Sequence, residues 1–223
     1  MGVGAPARAV SDRIGADVTR DRSEGWNEIA GPFMAARSDI GAALVRSWAR
    51  DHLPPSASVL DVGCGSGVPI AQALIEDGIA VFGIDASPRL IAAFRRRFPA
   101  MQAACEAAQD SAYFHRDFDA AVAIGLLFLL SEEDQRIVIH RVAQVLRPGG
   151  RFLFSAPREA CAWQDLLTGR ESRSLGRAEY ERHLEAAGLR LDGCRLDEGG
   201  NHYFDAARSS MEIDPLDDRP IAG

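Results

Sequence analysis

Apolar runs and amphipathic stretches alternate along the middle of the chain. A run that is apolar throughout, such as 79–84, predicts a strand buried on both faces, as in a parallel sheet covered by helices. The predicted strands are 58–62, 79–84, 101–105, 118–124 and 152–154, and the predicted helices between them are 69–76, 88–97 and 132–146. Strict alternation of the two element types predicts an α/β doubly wound sheet with right-handed crossovers and helices on both faces.

The pattern differs at both ends of this region. An apolar period from Trp26 to Phe33 predicts a short helix, and a second helix is expected from Ser38 as N-cap to a point before Pro54. Residues 1–24 have no sustained period and are interpreted as a mobile arm. The tail at 209–223 is acidic and contains proline, so we predict disorder there.

The segment 156–176 shows no periodic element, and a loop of that length in a compact domain is usually functional or disordered. We interpret it as a flap partly packed through Trp163, Leu166 and Leu167. A helix at 177–187 follows, and strands at 189–196 and 202–207 flank a glycine turn, as in a hairpin. The chain therefore predicts a single domain at 25–208, with N-terminal lid helices at 25–53.

A glycine turn at 59–74 joins the first predicted strand to the helix after it. Gly63, Gly65 and Gly67 remove the Cβ atoms that would keep a ligand away from the backbone, and the helix start offers unpaired N–H groups. The spacing differs from the Gly-x-Gly-x-x-Gly of dinucleotide sites, which disfavours a nicotinamide oxidoreductase. The turn therefore predicts a binding site for a different ligand.

The sequence Asp61-x-Gly63-x-Gly65-x-Gly67 resembles motif I of the class I S-adenosylmethionine-dependent methyltransferases. Later landmarks of that family are matched at 118–119, 146–150 and 187–189, so the resemblance covers about 26–207. It implies a Rossmann-like, seven-stranded, mostly parallel sheet whose antiparallel strand comes from the C-terminal hairpin. It also implies S-adenosyl-L-methionine as cofactor, with S-adenosyl-L-homocysteine as product and no metal.

The cofactor residues are expected at the carboxyl ends of the strands, where open α/β sheets bind ligands. Asp85 lies at the spacing of a ribose-binding carboxylate, although a turn or capping role remains an alternative. Asp61 is expected to order the turn and approach the cofactor's ammonium, and the resemblance assigns Glu106 and Ala107 to the adenine. A solvated surface glutamate is the alternative for Glu106. The predicted cofactor site comprises Asp61, Gly63, Cys64, Gly65, Asp85, Ala86, Glu106, Ala107 and Gly125.

The acceptor site is less defined, because 124–128 carries no Asp, Asn or His. This argues against a metal-assisted catechol site and against the Asn-Pro-Pro-Tyr type. Direct SN2 displacement driven by proximity and orientation fits an activated sulfonium donor. If a general base exists, the candidates are His115, His140, His183, His202 and Tyr203. A surface or packing role is favoured for His140 and His183, while His202 and Tyr203 are the candidates retained, with ordinary hairpin chemistry as their alternative. Lid or substrate candidates are Trp26, Phe33, Arg37, Trp163, Arg170 and Arg173.

The composition and charge of the chain limit the classes of partner that we expect it to bind. The formal net charge of −7 argues against general attraction to nucleic acid. No apolar run approaches the roughly 18 residues that cross a membrane, and four cysteines without Cys-x-x-Cys spacing suggest neither zinc nor disulfides. We therefore predict a cytoplasmic methyltransferase acting on a small-molecule acceptor. The alternative is a non-catalytic protein that binds S-adenosylmethionine or S-adenosylhomocysteine, and the oligomeric state stays open.

Overall fold

The computed structural model describes residues 22–209. Its helices are α1 (Ala30–Ala36), α2 (Ala42–His52), α3 (Ile70–Glu76), α4 (Pro88–Arg97), α5 (Glu132–Val145) and α6 (Arg177–Ala186). Its strands are β1 (Ser58–Val62), β2 (Ala80–Asp85), β3 (Gln102–Cys105), β4 (Phe118–Ala123), β5 (Leu146–Ser155), β6 (Cys161–Gln164), β7 (Glu171–Ser174), β8 (Leu189–Leu196) and β9 (His202–Arg208). Short 3₁₀ turns occupy Tyr113–His115 and Leu127–Leu129.

Seven strands form one sheet in the order β3-β2-β1-β4-β5-β9-β8. The pairs among β1 to β5 are parallel, and β9 runs antiparallel to both β5 and β8. The sheet therefore has the predicted fold, with its antiparallel strand supplied by the C-terminal hairpin. The order reverses between β1 and β4, which places a crevice at the carboxyl ends of these two strands.

Two apolar clusters lie on opposite faces of the sheet. Val138 of α5 and Leu184 of α6 pack on one face with Leu60, while Trp48 of α2 and Phe94 of α4 pack on the other. All five residues of β1 are buried, as expected for a central strand covered on both sides. The continuous apolar runs in the sequence therefore correspond to the central strands.

Local capping explains the helix starts that the sequence predicted well. The Ser87 hydroxyl accepts a hydrogen bond from the Leu90 N–H at 3.3 Å, and α4 begins at the following Pro88. The Ser131 hydroxyl accepts from the Asp134 N–H at 3.1 Å and starts α5. Farther on, β5 begins at Leu146, before the predicted strand 152–154, and its pairing with β4 shifts register between the pairs Phe118–Leu146 and Ala120–Arg151.

The two N-terminal helices begin later than predicted. Consecutive turns occupy 22–29, and α1 begins only at Ala30. Ser38 is not the N-cap of α2, because that helix begins after Gly41, which has φ 86°. The Gly41 N–H donates to Glu198 Oε1 at 3.1 Å, and a Cβ at Gly41 would collide with the Tyr203 hydroxyl. A contact with a hairpin about 160 residues away in sequence therefore sets this helix start.

The expectation of no regular element at 156–176 is wrong. Strands β6 and β7 form a second, two-stranded antiparallel sheet, which we call the flap hairpin, residues 161–174. Asp165 Oδ1 closes its loop by accepting hydrogen bonds from the Leu167 and Thr168 N–H groups at 3.0 and 2.7 Å. Leu166 and Leu167 are exposed, so the predicted packing holds for Trp163 alone.

The predicted arm and tail lie outside the described residues, apart from 22–24 and Ser209. Within 22–209, no helix is both long enough and apolar enough to span a bilayer.

Candidate functional site

A cleft of about 1080 Å³, including its open mouth, lies at the carboxyl ends of β1 to β4. We call it the glycine-turn cleft. The predicted cofactor residues that line it are Gly63, Cys64, Gly65, Asp85, Ala86, Glu106, Ala107 and Gly125. Asp61 is not among the lining residues and lies buried at the end of β1.

The glycine turn is held by the neighbouring strand. The Gly63 and Cys64 N–H groups both donate to the Ile84 carbonyl, at 2.8 and 2.9 Å. Gly63 and Gly65 have φ values of 75° and 55°, a region that L side chains rarely adopt. A Cβ at Gly65 would lie 3.6 Å from the Phe33 ring of α1. The turn therefore forms one wall of the cleft, and α1 faces it.

Asp85 holds the turn with both carboxylate oxygens. Oδ2 accepts from the Gly65 N–H at 2.9 Å, and Oδ1 accepts from the Ser87 N–H at 2.8 Å. Burial raises the pKa of Asp85, and these two hydrogen bonds oppose that shift. Because each carboxylate oxygen can accept more than one hydrogen bond, Asp85 combines the turn role with a capacity for further donors in the cleft.

Asp61 is a buried carboxylate with an unsatisfied oxygen. Among the described residues, no group donates a hydrogen bond to its Oδ2 atom. Burial, and secondly the charge of Asp85, raise the pKa of Asp61 to about 7, while the Arg37 charge lowers it. A buried acceptor without a donor is costly, so this position favours a ligand that brings a cation or an N–H group.

Glu106 faces the cleft from the end of β3. Its Oε2 accepts from the Ser111 hydroxyl at 2.6 Å and from the Ala112 N–H at 3.3 Å. Its backbone N–H donates to the Asp85 carbonyl at 3.1 Å. These bonds hold the half-buried Glu106 in the cleft wall, while its expected role at the adenine stays a prediction.

An N-terminal strap, residues 22–29, crosses the cleft and leads into α1. The Asn27 Oδ1 atom accepts from the Ser87 hydroxyl and the Arg89 N–H, both at 3.1 Å. Exposed ion pairs join Arg22 to Asp110 and Glu24 to Arg170 of the flap hairpin. The lid candidates Trp26, Phe33, Arg37 and Arg170 all line the cleft.

The aromatic lid candidates contact one another. The Trp26 and Phe33 rings meet edge to face, with centroids 5.2 Å apart. The Arg37 guanidinium lies 5.2 Å from the Phe33 ring centroid, and its Nε donates to the Val68 carbonyl at 3.4 Å. This cluster covers the glycine turn on the solvent side.

A second cleft adjoins the first. Arg37, Ile124 and Gly125 line both clefts, so these three residues form a junction. The walls of the second cleft include Trp163 of the flap hairpin and His202 of β9, both singled out from the sequence. Residues that the sequence did not single out are Ser38, Ile40, Phe128, Ser155, Ala156, Pro157, Gly200 and Asn201. For Phe128, the sequence did offer a signal for a role in a cleft, because this residue follows the fourth strand, at the edge of the sheet where ligands are expected.

Tyr203 is buried in the wall of this second cleft. Its hydroxyl donates to Asp197 Oδ2 at 3.0 Å, and Asp197 also accepts from the Gly199 and Asn201 N–H groups. Burial, and secondly the Asp197 hydrogen bond, raise the pKa of Tyr203. The phenol therefore stays protonated at neutral pH, which does not suit a general base.

Several candidates lie elsewhere. Arg173 pairs with Glu171 and lines neither cleft. Of the two helical histidines, His140 is exposed against Gln144, and His183 is half-buried beside Arg136, so one has the expected surface role and the other the packing role. The exposed His115 also lies outside both clefts. Residues 22–209 contain no group of three His, Cys, Asp or Glu side chains that could hold a metal ion.

Comparison with known proteins agrees with this geometry. Residues 59–150 match the family model of a methyltransferase domain. The cypemycin N-terminal methyltransferase of a Streptomyces species is 36% identical over 114 residues, which cover 49% of this chain and 46% of that protein. The ubiquinone biosynthesis O-methyltransferase of Klebsiella pneumoniae is 30% identical over 119 residues, 51% of this chain and 48% of that protein. The chain thus spans about half the length of these curated relatives.

Solved structures extend the likeness over most of the chain. The 1,6-didemethyltoxoflavin-N1-methyltransferase of Burkholderia thailandensis, with S-adenosylhomocysteine bound, superposes with a TM-score of 0.67 at 20% identity, covering 93% of this chain and 94% of that one. The magnesium protoporphyrin IX methyltransferase of Synechocystis, with bound S-adenosylmethionine, gives 0.65 at 16% identity, covering 86% and 99%. Residues 59–150 thus match a methyltransferase domain, and the chain has the fold of S-adenosylmethionine-dependent methyltransferases of known structure, in agreement with the class that the glycine turn predicted.

Proposed function

We propose that this protein transfers a methyl group from S-adenosylmethionine to a small-molecule acceptor by direct displacement. The junction of the two clefts at Ile124 and Gly125 carries this proposal. A donor in the glycine-turn cleft and an acceptor in the second cleft would meet there. A Cβ at Gly125 would meet no atom within 4 Å, so there is free space beside this shared residue.

The residues of the glycine-turn cleft fit the separate parts of S-adenosylmethionine. The Asp61 carboxylate, whose Oδ2 atom has no donor among the described residues, suits the ammonium of the methionyl part. Arg37, whose positive charge lowers the pKa of Asp61, suits the carboxylate of the methionyl part. Asp85 suits the ribose hydroxyls, while Glu106 and the buried Ala107 suit the adenine edge. The ammonium and the carboxylate of the methionyl part would therefore each have a partner of opposite charge.

The protein's own contribution to the reaction is alignment and exclusion of water. The cofactor supplies an activated methyl group on its sulfonium. The Gly125 N–H donates to the Ser155 hydroxyl at 2.8 Å, which ties the ends of β4 and β5 together at the junction. The strap and the flap hairpin cover the two clefts from the solvent side. Fixed orientation in a dry site supplies much of the acceleration when the donor is already activated.

A small-molecule acceptor is supported by several similar proteins, which are methyltransferases of 1,6-didemethyltoxoflavin, of magnesium protoporphyrin IX and of ubiquinone biosynthesis. A nucleic-acid acceptor is disfavoured, because a protein with a formal net charge of −7 repels the phosphate backbone. The absence of acid–base side chains at 124–128 favours, as second candidate, a cofactor-binding protein without catalysis.

Calorimetric titration with S-adenosylmethionine, S-adenosylhomocysteine and NAD tests the proposal. We expect binding of both adenosyl compounds and a much weaker response to NAD. Tighter NAD binding, or no adenosyl binding, would contradict it. Incubation with radiolabelled S-adenosylmethionine and a panel of phenols, amines, carboxylates and thiols then separates the candidates, since adenosyl binding without label transfer favours the non-catalytic one.

A further inference from the structure

We propose, resting on the function above, that the second cleft takes a planar, uncharged aromatic acceptor with an acidic O–H or N–H group, and that His202 removes its proton. Three properties of the cleft support this inference. These are its paired aromatic walls, the lack of carboxylates among its described lining residues, and a histidine whose ring has no hydrogen-bond or ion-pair partner within residues 22–209.

The aromatic walls come from two separate elements. Phe128 follows β4, Trp163 belongs to the flap hairpin, and their ring centroids lie 5.5 Å apart at 44°. Both side chains are half-buried, and Pro157 and Ile40 extend the apolar lining. Flat aromatic ligands gain from contact with such rings beyond simple burial of area. The cleft therefore favours a planar ring over a saturated skeleton of equal size.

The charges of the cleft exclude an ammonium acceptor. Of the described residues that line it, none is Asp or Glu, and Arg37 is the one residue with a permanent charge. Asp197, which lies behind Tyr203, is committed to the Tyr203, Asn201 and Gly199 donors. A cationic amine would lose its hydration here without gaining a counter-charge. Because Arg37 is assigned to the cofactor carboxylate, the acceptor that fits best is uncharged.

His202 is the group in this cleft that can accept a proton. Within 22–209, no hydrogen bond or ion pair joins its ring to another residue. Its backbone is fixed, because its carbonyl accepts from the Ala156 N–H at 3.1 Å and it pairs with Leu196 in β8. Tyr203 stays protonated as a donor to Asp197. The ring of His202 thus lines the cleft on a rigid strand with its nitrogens available.

For an O–H acceptor the step balances as follows. The acceptor oxygen gives its proton to an imidazole nitrogen of His202 and uses a lone pair to form a bond to the methyl carbon. The carbon–sulfur bond breaks, and its electron pair stays on sulfur as a neutral thioether. The imidazolium then loses its proton to solvent.

Binding to protein saturated with S-adenosylhomocysteine tests the acceptor class with three matched probes. These are 2-naphthol, decahydro-2-naphthol and 2-(aminomethyl)naphthalene. We expect 2-naphthol to bind about tenfold more tightly than either of the others. Trp163→Leu should remove most of that preference, Trp163→Phe should retain it, and neither should alter S-adenosylhomocysteine affinity. Equal affinity of the three probes overturns the inference and leaves the proposed function intact.

Methylation of 2-naphthol at several pH values tests His202. We expect His202→Gln to lower the rate about 100-fold at pH 7, with an unchanged affinity for S-adenosylhomocysteine. The deficit should shrink near pH 10, where 2-naphthol ionises without a base, and His140→Gln should behave as wild type. A deficit that is constant with pH, or no 2-methoxynaphthalene from the wild type, overturns the role of His202. Failure to bind S-adenosylhomocysteine is the separate result that would overturn the proposed function.

Discussion

Asp61 is expected to make the ligand-free protein less stable as the pH rises. Its pKa of about 7 in the folded state exceeds the ordinary value of 3.8, so the folded protein binds an extra proton between about pH 4 and pH 7. The free energy of unfolding therefore falls as pH rises through that window. Asp61→Asn should stabilise the ligand-free protein by about 1–3 kcal/mol at pH 8 and leave it nearly unchanged at pH 4.

Urea unfolding at the two pH values measures this difference. The exposed Asp117→Asn is a matched control that should show no such pH dependence. The same Asp61→Asn variant should bind S-adenosylmethionine less tightly, because the amide offers no charge to an ammonium. An equal change in stability at pH 4 and pH 8 would contradict the assigned protonation.

Asp85 is expected to act on both the ligand and the glycine turn. Asp85→Ala should lower S-adenosylmethionine affinity by about 1–3 kcal/mol, since hydrogen bonds to a charged acceptor are lost. It should also lower the free energy of unfolding, because the Gly65 and Ser87 N–H groups lose their acceptor. Calorimetry and urea unfolding of the same sample measure the two effects. Unchanged cofactor affinity would remove Asp85 from the binding site.

Among the helices and strands, the attachment of the flap hairpin depends on one fully buried amide. Gln135 of α5 donates through Nε2 to the Leu130 and Arg173 carbonyls, at 3.1 and 3.0 Å, and accepts from the Tyr180 hydroxyl at 2.8 Å. Gln135→Leu removes all three hydrogen bonds, and the Tyr180 hydroxyl keeps its bond from the Leu175 N–H. We expect the free energy of unfolding to fall by about 2–4 kcal/mol.

The loss of this link should also loosen the flap hairpin. Trypsin should cleave Gln135→Leu faster than wild type after Arg170, which is exposed in the hairpin. Gln144→Leu, at an exposed position of the same helix, is the matched control and should change neither stability nor cleavage. Identical cleavage of all three proteins would show that Gln135 does not hold the hairpin.

At the scale of the whole molecule, we expect the protein to release its cofactor faster at high salt than at low salt. The strap reaches the glycine-turn cleft walls through two exposed ion pairs, Arg22 with Asp110 and Glu24 with Arg170. Such pairs are weak and screened by salt. We expect the dissociation rate of S-adenosylhomocysteine to rise about twofold to fivefold between 0.05 and 0.5 M salt.

Stopped-flow fluorescence of Trp26, which lines the cleft, can follow this release. Glu24→Gln should reduce the salt effect because one of the two pairs is absent. Glu76→Gln breaks an exposed pair with Arg46 away from both clefts and should leave the salt effect intact. A salt dependence that is equal in all three proteins would exclude the strap as its cause.

The sequence by itself determined the features that depend on neighbours close in the chain. Continuous apolar runs predicted the central strands, and the predicted starts of α4 at 88 and of α5 at 132 agree with the structure. The spacing of Asp61, three glycines and Asp85 predicted the methyltransferase domain and the edge of the sheet at which the glycine-turn cleft lies. The apolar runs, the helix starts and the glycine spacing can be recognised in the sequence, because each depends on residues that lie close together in the chain.

The tertiary structure alone decided the features that depend on distant partners. Gly41 starts α2 because Glu198 and Tyr203 contact it from β9 and its hairpin turn. The flap hairpin forms through cross-strand pairing of two segments without a clear apolar period. Only the fold joins Phe128, Trp163 and His202 into one cleft and leaves Arg173 outside it. Side-chain neighbours across the chain, which no local pattern encodes, therefore determine the second cleft, which we propose as the acceptor site.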